Sequence, residues 1–491
     1  MNILFRADGN STIGAGHIMR CLALAQALKD CGGNPVFLCS DLAEGFKERL
    51  NGVATVENLK AEAYTQDDAV ETAATAKNIG AEWIVLDGYN FDDAYVTSLK
   101  DSGVQVLRLD DHSHLSSYSA DFILNQNAHA AANQYPNIAQ DTKLLLGCSY
   151  TMLQRAFRNS SPQAGVPITA KKILITLGGS DPENVTPMVI RALKGLEVEL
   201  TVIVGGGNPH IDDVQNAISD TGLPAEIVVN ANNMHELMNT ADLAITAAGS
   251  TCYELAYMGV PMITIIVADN QVGVAEGLSS KNACVNLGWN TELTEQSIAD
   301  TVANLLGDEA KRKALQDAGK SVIDGSGAFR VLMQMNESPL YLRQANDDDC
   351  EIIFKWANDA DTRAASFSSE QIPWEDHTKW YTEKLADANH LFFVGMNSAD
   401  EPVGQVRFDT EGDTAMISVS VAPEMRGKKY ATPLIAEGCK RCFGQTNAQM
   451  IDAFIKPENE ASKAVFTKAG FTEQDPSDVN GNAALHFTLK R

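Results

Sequence analysis

His17 stands directly after a glycine turn and at the start of an amphipathic stretch, in the segment GNSTIGAGHIMRCLALA. Gly14 and Gly16 allow positive φ and a close approach by a ligand, and the helix that follows presents unpaired amides and the positive end of its dipole. That dipole favours neutral His17, with one ring nitrogen free to accept a proton from water. One interpretation is a general base, and the other is a structural histidine that caps the turn.

Two further strand-turn-helix segments lie in the middle of the chain, ITLGGSDPENVTPMVIRAL and ITAAGSTCYELAYMGVPMITI. Small and hydroxyl residues at the predicted helix starts can offer backbone amides to a phosphate without any lysine. They are Gly178, Gly179, Ser180, Gly249, Ser250 and Thr251. Glu254 follows one helical turn after Ser250, where its carboxylate can accept from two sugar hydroxyls or can simply complement the helix dipole. A dinucleotide site is not predicted, because no G-x-G-x-x-G separates the first strand from its helix.

A third segment, AMISVSVAPEMRGKKYATPLIAEG, again places a glycine turn between a strand and a helix. Here Arg426, Lys428 and Lys429 add positive charge, so the turn is typical of a pyrophosphate site. The base of a reaction at this site is not evident. Glu370, Glu375 and His377 lie in the region before this strand, and each is either that base or plain surface.

Two clusters have residue types that bind metals, and neither is predicted to do so. Asp110, Asp111, His112 and His114 follow a strand and are interpreted as a solvated loop. Cys439 and Cys442 form a C-x-x-C without a second pair or a histidine at zinc-ligand spacing. The nine cysteines are scattered and odd in number, which favours a reducing compartment over a disulfide framework.

The charge and hydropathy of the chain argue against several classes of protein. A formal charge of −26 argues against nonspecific nucleic-acid binding, whose affinity comes mainly from neutralising phosphates. No run reaches the roughly 18 apolar residues of a membrane span. The start MNILFRADGN carries charges where a signal peptide needs an apolar stretch. We therefore expect a cytoplasmic protein that acts on small molecules, and the sequence predicts no oligomeric state.

The elements that must position these residues fall into three segments. A chain of 491 residues exceeds one hydrophobic core. Apolar runs rich in Val, Ile and Leu alternate with amphipathic stretches in the first two segments, which predicts two Rossmann-like lobes with parallel sheets. Alternating strands in the third predict a separate α+β domain. The predicted domains of this α/β chain are residues 1–150, 151–336 and 340–491.

The motifs of the first two segments make a resemblance specific. G-A-G-H-I-M-R, L-G-G-S-D-P, A-G-S-T-x-x-E-L-x-x-x-G-V-P with A-D-N-Q, and D-G-S-G-A-F-R-V follow one another in order. Over residues 1–335 the chain resembles the UDP-sugar hydrolases of pseudaminic acid biosynthesis. The resemblance implies a GT-B fold and hydrolysis of UDP-2,4-diacetamido-2,4,6-trideoxy-β-L-altropyranose, by water attack with inversion and without a metal.

The same resemblance implies roles for individual residues. It makes His17 the base, Asn270 an active-site amide and Tyr89 a residue facing the cleft. Glu254 would hold the ribose, and the uracil would meet main-chain groups near Met234 and His235. Further implied substrate contacts are Gly14, Gly16, Gln271 and the turns at 178–180 and 249–251.

The third segment resembles the GNAT acetyltransferases over residues 340–491. Arg426 and Ala431 fit the ends of the motif Q/R-x-x-G-x-G/A, while Lys429 replaces the usual glycine and Phe466 stands where a tyrosine often acts as acid. The cosubstrate would be acetyl-CoA. The implied contacts to it are Val419, Val421, Arg426, Gly427, Lys428, Lys429, Ala431, Asn459 and Ser462.

The two resemblances fit one pathway, in which the 4-amino group of the UDP-sugar is acetylated just before UDP is removed. The sequence therefore predicts a bifunctional hydrolase and N-acetyltransferase. The alternatives are a UDP-sugar-dependent glycosyltransferase, the same chemistry on a legionaminic-type sugar, and a noncatalytic nucleotide-sugar sensor.

Overall fold

The computed structural model describes residues 1–10, 15–479 and 481–491, so that Gly14 lies outside the described residues. The chain divides into two compact units. Unit 1 comprises Met1–Ala27 and Asn34–Val331, and unit 2 comprises Leu28–Gly33 and Leu332–Arg491. The predicted boundaries near residues 150 and 336 stay predictions.

The first lobe of unit 1 is built on a seven-stranded parallel sheet of order β3-β2-β1-β4-β5-β6-β7. Its strands are β1 (Asn2–Ala7), β2 (Asn34–Cys39), β3 (Thr55–Asn58), β4 (Trp83–Asp87), β5 (Gln105–Leu109), β6 (Phe122–Asn125) and β7 (Lys143–Leu146). The strand order reverses between β1 and β4, and ligands of open parallel sheets bind at the carboxyl ends of strands at such a point. His17 follows β1, and Asp87 ends β4.

The second lobe of unit 1 repeats this plan with a six-stranded parallel sheet of order β10-β9-β8-β11-β12-β13. Its strands are β8 (Lys172–Thr176), β9 (Glu199–Val204), β10 (Ala225–Val229), β11 (Leu243–Ala247), β12 (Met262–Ile266) and β13 (Val285–Trp289). Leu243, Ile245 and Ile263 are fully buried, as expected when helices cover both faces of a sheet. Here the order reverses between β8 and β11, which are followed by the turns at 178–180 and 249–251.

Thirteen helices precede the strands of unit 2 within the described ranges. They are α1 (Gly16–Asp30), α2 (Glu44–Leu50), α3 (Gln66–Asn78), α4 (Asp93–Asp101), α5 (Arg155–Arg158), α6 (Thr186–Ala192), α7 (Ile211–Thr221), α8 (Met234–Asn239), α9 (Thr251–Met258), α10 (Val272–Ser280), α11 (Glu295–Gly307), α12 (Glu309–Val322) and α13 (Gly327–Met335). No helix in the described part of the chain has both the length and the apolarity of a bilayer span.

One predicted helix start is wrong. Gly178, Gly179 and Ser180 do not begin a helix, because α6 starts only at Thr186. Asp181 accepts hydrogen bonds from the amides of Val185 and Thr186, each at 3.0 Å, and so stabilises the start of the helix six residues after the turn. The amides at 178–180 are therefore those of a loop.

Unit 2 carries a mixed sheet of order β14-β15-β16-β17-β18-β21-β19, with β20 paired to β21. Its strands are β14 (Tyr341–Gln344), β15 (His390–Met396), β16 (Pro402–Glu411), β17 (Thr414–Val421), β18 (Met450–Ile455), β19 (Thr472–Glu473), β20 (Ser477–Val479) and β21 (Asn482–Lys490). Its helices are α14 (Cys350–Ala357), α15 (Ala360–Ala365), α16 (Trp374–Ala386), α17 (Ala431–Gln445) and α18 (Glu460–Lys468). β17 pairs with β18 in parallel only from Thr414 to Met416, and beyond that point the two strands separate.

Candidate active sites

A cleft of about 330 Å³ lies between the two lobes of unit 1. It is lined by residues that follow the first strands of one sheet and by residues that follow β11 and β12 of the other. Of the residues predicted from sequence, it brings together Gly16, His17, Tyr89, Gly249, Ser250, Glu254, Asn270 and Gln271.

His17 is the second residue of α1 and is held by a buried carboxylate. Its Nδ1 lies 2.6 Å from Oδ1 of Asp87, which is 1 % exposed at the end of β4. A carboxylate only accepts hydrogen bonds, so the ring proton is placed on Nδ1 and Nε2 is left as an acceptor. This geometry suits His17 to remove a proton from a bound water. A histidine that only capped the turn would not need a buried carboxylate at Nδ1.

Arg20, one helical turn after His17, ties the site together. Its Nε and Nη2 each lie 2.6 Å from an oxygen of Asp87, and its Nη1 donates to both oxygens of Asp111 at 2.8 and 2.7 Å. Burial opposes ionisation of Asp87, but Arg20 and His17 outweigh it and hold the pKa of that carboxyl well below its usual range. Asp87 therefore stays ionised and can stabilise a protonated His17.

The loop after β5 is only partly the solvated loop that was predicted. His112 and His114 are exposed, but Asp110 is 3 % exposed and accepts from the Tyr118 hydroxyl at 3.1 Å. Asp111 lines the cleft, pairs with Arg20 and accepts from Asn127 Nδ2 at 2.8 Å. The solvated interpretation is thus wrong for the two aspartates, because the cleft's arginine holds one and a buried tyrosine the other.

Tyr89 forms one wall beside the histidine. Its ring meets the His17 ring edge-on, with centroids 4.7 Å apart, and its hydroxyl donates to Asp111 at 3.3 Å. The side chain remains 43 % exposed. Burial and the nearby Asp111 raise the pKa of Tyr89, so it remains a neutral donor at physiological pH.

The opposite wall of the cleft is the start of α9. Gly249 and Ser250 precede the first residue of this helix and line the cleft, as does Glu254. Within the described chain, the Glu254 carboxylate has no hydrogen-bond partner. Burial raises the pKa of Glu254 to about 7, with Arg49 acting against the shift. An unpartnered carboxylate facing a cleft is available for the hydroxyls of a ligand.

Asn270 and Gln271 reach the cleft from a single 3-10 turn after β12, Asp269–Gln271. The Oε1 of Gln271 accepts from the Val267 amide at 3.0 Å, which fixes the turn. Asn270 is exposed, so its amide is free to meet a ligand.

Several predicted contacts do not line this cleft. They are Gly178, Gly179, Ser180, Met234, His235 and Thr251. Met234 and His235 begin α8, where the His235 ring packs edge-on against Phe157 at 6.1 Å. Their contacts to UDP stay predictions.

The sequence interpretation missed Asp87 and Arg20, and it assigned Asp111 to a solvated loop although this residue lines the cleft. Arg20 lies three residues after His17, on the same helical face, and this spacing was a usable signal. Asp87 ends a strand in VLDGY, and only the pairing of β4 with β1 brings it to His17.

Unit 2 has a cavity of about 560 Å³ where β17 and β18 separate. Of the predicted acetyl-CoA contacts, it is lined by Val419, Val421, Arg426, Asn459 and Ser462. Asn459 caps α18 by accepting from the Ser462 amide at 3.0 Å. Phe466 also lines the cavity, so no tyrosine hydroxyl stands at that position.

The remaining predicted contacts form the turn before α17. Gly427, Lys428, Lys429 and Ala431 do not line the cavity described above. Lys429 has φ 67°, a left-handed conformation that explains why glycine is usual there. Arg426 pairs with Asp359 and with Asp361, the second pair at 2.9 Å. The contact of this turn with pyrophosphate stays a prediction.

A smaller cavity of about 270 Å³ shares part of its lining with this one. His377 lines it, is 1 % exposed, and places Nε2 3.0 Å from the carbonyl of Cys350. Burial lowers the pKa of His377, so the ring is neutral near pH 7. Glu370 and Glu375 are exposed and line neither cavity, whereas His377 remains the better placed of the three predicted bases.

Comparison with known proteins defines the class of each unit. The glycosyltransferase family 28 C-terminal domain matches residues 173–327, and the acetyltransferase (GNAT) domain matches residues 339–472. A MurG crystal structure from Acinetobacter baumannii matches 68% of this chain and 99% of its own, at 16% identity and a TM-score of 0.50. The predicted fold, two GT-B-type lobes followed by a GNAT domain, is confirmed.

Two curated relatives narrow the class further. The UDP-2,4-diacetamido-2,4,6-trideoxy-β-L-altropyranose hydrolase of Campylobacter jejuni is 25% identical over 288 residues, 57% of this chain and 97% of the relative. An uncharacterised protein of Methanocaldococcus jannaschii is 22% identical over 429 residues, 83% of each chain. The resemblance predicted from the motifs is confirmed, and the hydrolase relative together with the GNAT domain supports enzyme activity.

Proposed function

We propose that this chain catalyses two consecutive steps of pseudaminic acid biosynthesis. The GNAT domain transfers the acetyl group of acetyl-CoA to the 4-amino group of UDP-4-amino-4,6-dideoxy-N-acetyl-altrosamine. Unit 1 then hydrolyses the resulting UDP-2,4-diacetamido-2,4,6-trideoxy-β-L-altropyranose to UDP and the free sugar. The observation that carries the proposal is His17, held by Asp87 and facing the start of α9 across one cleft.

In the hydrolysis, Nε2 of His17 accepts a proton from a water as its oxygen attacks the anomeric carbon. The bond from that carbon to the UDP oxygen breaks, and UDP leaves with the electron pair. Asp87 stabilises the imidazolium, while the amide of Ser250 stabilises the diphosphate. Attack from the face opposite UDP gives inversion.

In the acetyl transfer, the amine nitrogen attacks the thioester carbon, the C–S bond breaks and CoA leaves as the thiolate. The amine loses one proton to a base, for which His377 is the best placed of the predicted groups. The main chain at Val419 and Val421 lies along the cavity where the pantetheine arm would extend. Because Phe466 lines the position of the usual acid, the thiolate takes its proton from water or another residue.

The test uses the purified full chain with each UDP-sugar in turn. NMR of the diacetamido sugar should show UDP and the free sugar appearing together in water, and H17N should stop this while still binding UDP. The exposed H114N is the matched control and should keep native rates. Lack of UDP release from the diacetamido sugar in the native chain would sink the hydrolase assignment.

A glycosyltransferase is the second candidate for unit 1, and the match to glycosyltransferase family 28 favours it. The two functions differ in the molecule that accepts the sugar, which is water for a hydrolase and a second sugar or lipid for a transferase. A transferase would release UDP only when a second sugar or lipid acceptor is added, whereas a hydrolase releases it in buffer alone.

A further inference from the structure

Two arginines lie where the cavities of unit 2 meet. Arg363 in α15 and Arg407 in β16 line both the larger cavity and the smaller one. The larger cavity has the predicted acetyl-CoA residues, so the smaller one is the side from which an acceptor reaches the thioester. Positive charge in the wall of the smaller cavity favours some acceptors over others.

The Arg407 guanidinium has no hydrogen bond and no ion pair among the described residues. It lies over the Trp380 ring, 4.8 Å from the centroid. Asp409, two residues along the strand, is engaged by Lys384 and by His390 Nδ1, the latter at 2.9 Å. Burial lowers the pKa of Arg407 to about 10, yet the group remains charged near pH 7. A partly desolvated cation without a counterion favours an anionic ligand.

Arg363 has only neutral partners. Its Nη1 donates to the carbonyls of Ser368 and Glu370, both at 3.3 Å, and its Nη2 donates to Ser366 Oγ at 3.3 Å. Its Nε is buried and has no partner in the described structure. Two guanidinium groups therefore face this cavity against one carboxylate, that of Asp376, and neither arginine forms an ion pair among the described residues.

Gln405 adds an unpartnered acceptor to the same wall. It is 5 % exposed, donates from Nε2 to Ser420 Oγ at 3.2 Å, and has a buried Oε1 without a partner within the described ranges. Gln405 and Arg407 share one face of β16, with Cα atoms about 7 Å apart. The orphaned oxygen suits an N–H donor, and it lies beside the strand that lines the acetyl-CoA cavity.

We propose that the smaller cavity binds an amine that carries a phosphate or diphosphate in the same molecule. An amine N–H donates to Gln405 Oε1, and the phosphate oxygens accept from Arg407 and Arg363. The nitrogen then attacks the thioester carbon, the C–S bond breaks, CoA leaves as the thiolate, and the amine gives up one proton to His377. This inference rests on the proposed acetyltransferase function, assigns the residues that bind the amine and the phosphate of its acceptor, and excludes polyamines, which the two arginines repel.

The first test compares acceptors with the full chain, following CoA release from acetyl-CoA. The UDP-linked 4-amino-sugar should far exceed the same sugar without UDP, and spermidine should not react. R407M should lower kcat/KM for the UDP-linked amine by about 10- to 100-fold, chiefly through KM, and leave the free sugar unchanged. R407K should retain part of the activity, and R491M, which removes an exposed arginine outside both cavities, should be native.

Two outcomes of this test would overturn the acceptor site. An equal loss of kcat/KM for both sugars in R407M would mean that Arg407 does not bind the phosphate. A raised KM for acetyl-CoA with an unchanged KM for the UDP-linked amine would assign the arginines to the phosphates of CoA instead.

A second test measures anion binding without turnover. The chain is labelled with 5-fluorotryptophan, the Trp380 resonance is assigned with W380F, and inorganic pyrophosphate is titrated in the presence of saturating CoA. The Trp380 resonance should move in the native chain and stay fixed in R407M. A fixed resonance in the native chain, or equal movement in both, contradicts the site. If no amine is acetylated, the acetyltransferase function fails, and this titration still decides whether the anion site exists.

Discussion

The charged residues of the unit 1 cleft form one connected network of ion pairs and hydrogen bonds. Arg20 joins two carboxylates, Asp87 joins Arg20 to His17, and only Nε2 of His17 is left to meet a ligand. Because Nδ1 of His17 lies 2.6 Å from a carboxylate oxygen of Asp87, the tautomer of His17 is set before any substrate arrives. The preorganised base depends more on Asp87 than on the helix dipole.

Replacing Asp87 with asparagine should test this dependence. The amide can donate to Nδ1 of His17, which moves the ring proton to Nε2 and removes the acceptor from the cleft. We expect kcat for hydrolysis to fall on the order of 10⁴-fold, by analogy with the triad aspartate, with little change in KM. D67N, an exposed change on α3, should keep native kinetics. A D87N chain with native kcat would mean that His17 does not act as the base.

The ionisation of Glu254 gives a prediction about pH. Its folded-state pKa of about 7 lies above the ordinary value because of burial, so the carboxyl is mostly protonated at pH 6 and mostly ionised at pH 8. If the carboxylate accepts from two ribose hydroxyls, UDP affinity should rise by up to about tenfold over this window. E254Q should lack the rise that belongs to Glu254, while the ionisation of UDP itself affects both chains alike. UDP affinities measured by calorimetry that change with pH in the same way in the native chain and in E254Q would contradict the role of Glu254.

The sequence predicts a residue of the site only where the signal for that residue is local. His17 and Glu254 were found because local spacing placed each at a helix start. Asp87 was not, because its partner lies 70 residues away and the contact exists only through strand pairing. The orphaned Oε1 of Gln405 has no sequence signal at all, since it depends on three-dimensional packing.

At the scale of elements, the two glycine turns of the second lobe differ in kind. The turn at 249–251 leads straight into α9, as predicted, whereas the turn at 178–180 is separated from α6 by a loop that Asp181 closes. Local propensity favoured a helix directly after both strands. The difference arises because Asp181 and Asn184 have positive φ, 39° and 50°, which a continuous helix does not allow.

Tight packing between loops gives a test of the turn at 178–180. A Cβ added to Gly205 would lie 2.0 Å from the carbonyl oxygen of Gly179, so G205A must displace that turn. If the turn contacts pyrophosphate, G205A should weaken UDP binding about tenfold or more, and uridine binding much less. At Gly207 the nearest atom would be 3.8 Å away, and G207A is the matched control. Equal losses of affinity for UDP and for uridine in G205A would show that the turn does not bind the phosphates.

At the scale of the whole molecule, a chain of net charge −26 would bind the anionic substrates proposed above through local groups. Unit 1 presents backbone amides at the start of α9, and unit 2 presents a basic turn and two arginines without ion pairs among the described residues. The fold class was predictable because each segment has its own hydrophobic periodicity. The smaller cavity of unit 2 was not predictable, because residues of α15, α16 and β16 form it together only after folding.

The order of the two proposed steps makes the units separable by mutation. H17N should acetylate the UDP-4-amino-sugar at a native rate and accumulate the diacetamido product. G427V places a β-branched residue at φ 75°, so it should distort the pyrophosphate turn, block acetylation and leave hydrolysis of added diacetamido sugar intact.

Mixing the two variants should restore conversion of the 4-amino-sugar to UDP and free sugar, because the intermediate leaves one chain and enters another. A lag that shortens as G427V is increased marks transfer through solution, and comparison with the native chain at equal concentrations measures what the tether adds. Failure of the mixture, with each single activity intact, would mean that the product of the acetyl transfer is not the substrate of the cleft in unit 1. The two reactions would then be linked by the chain but not by chemistry.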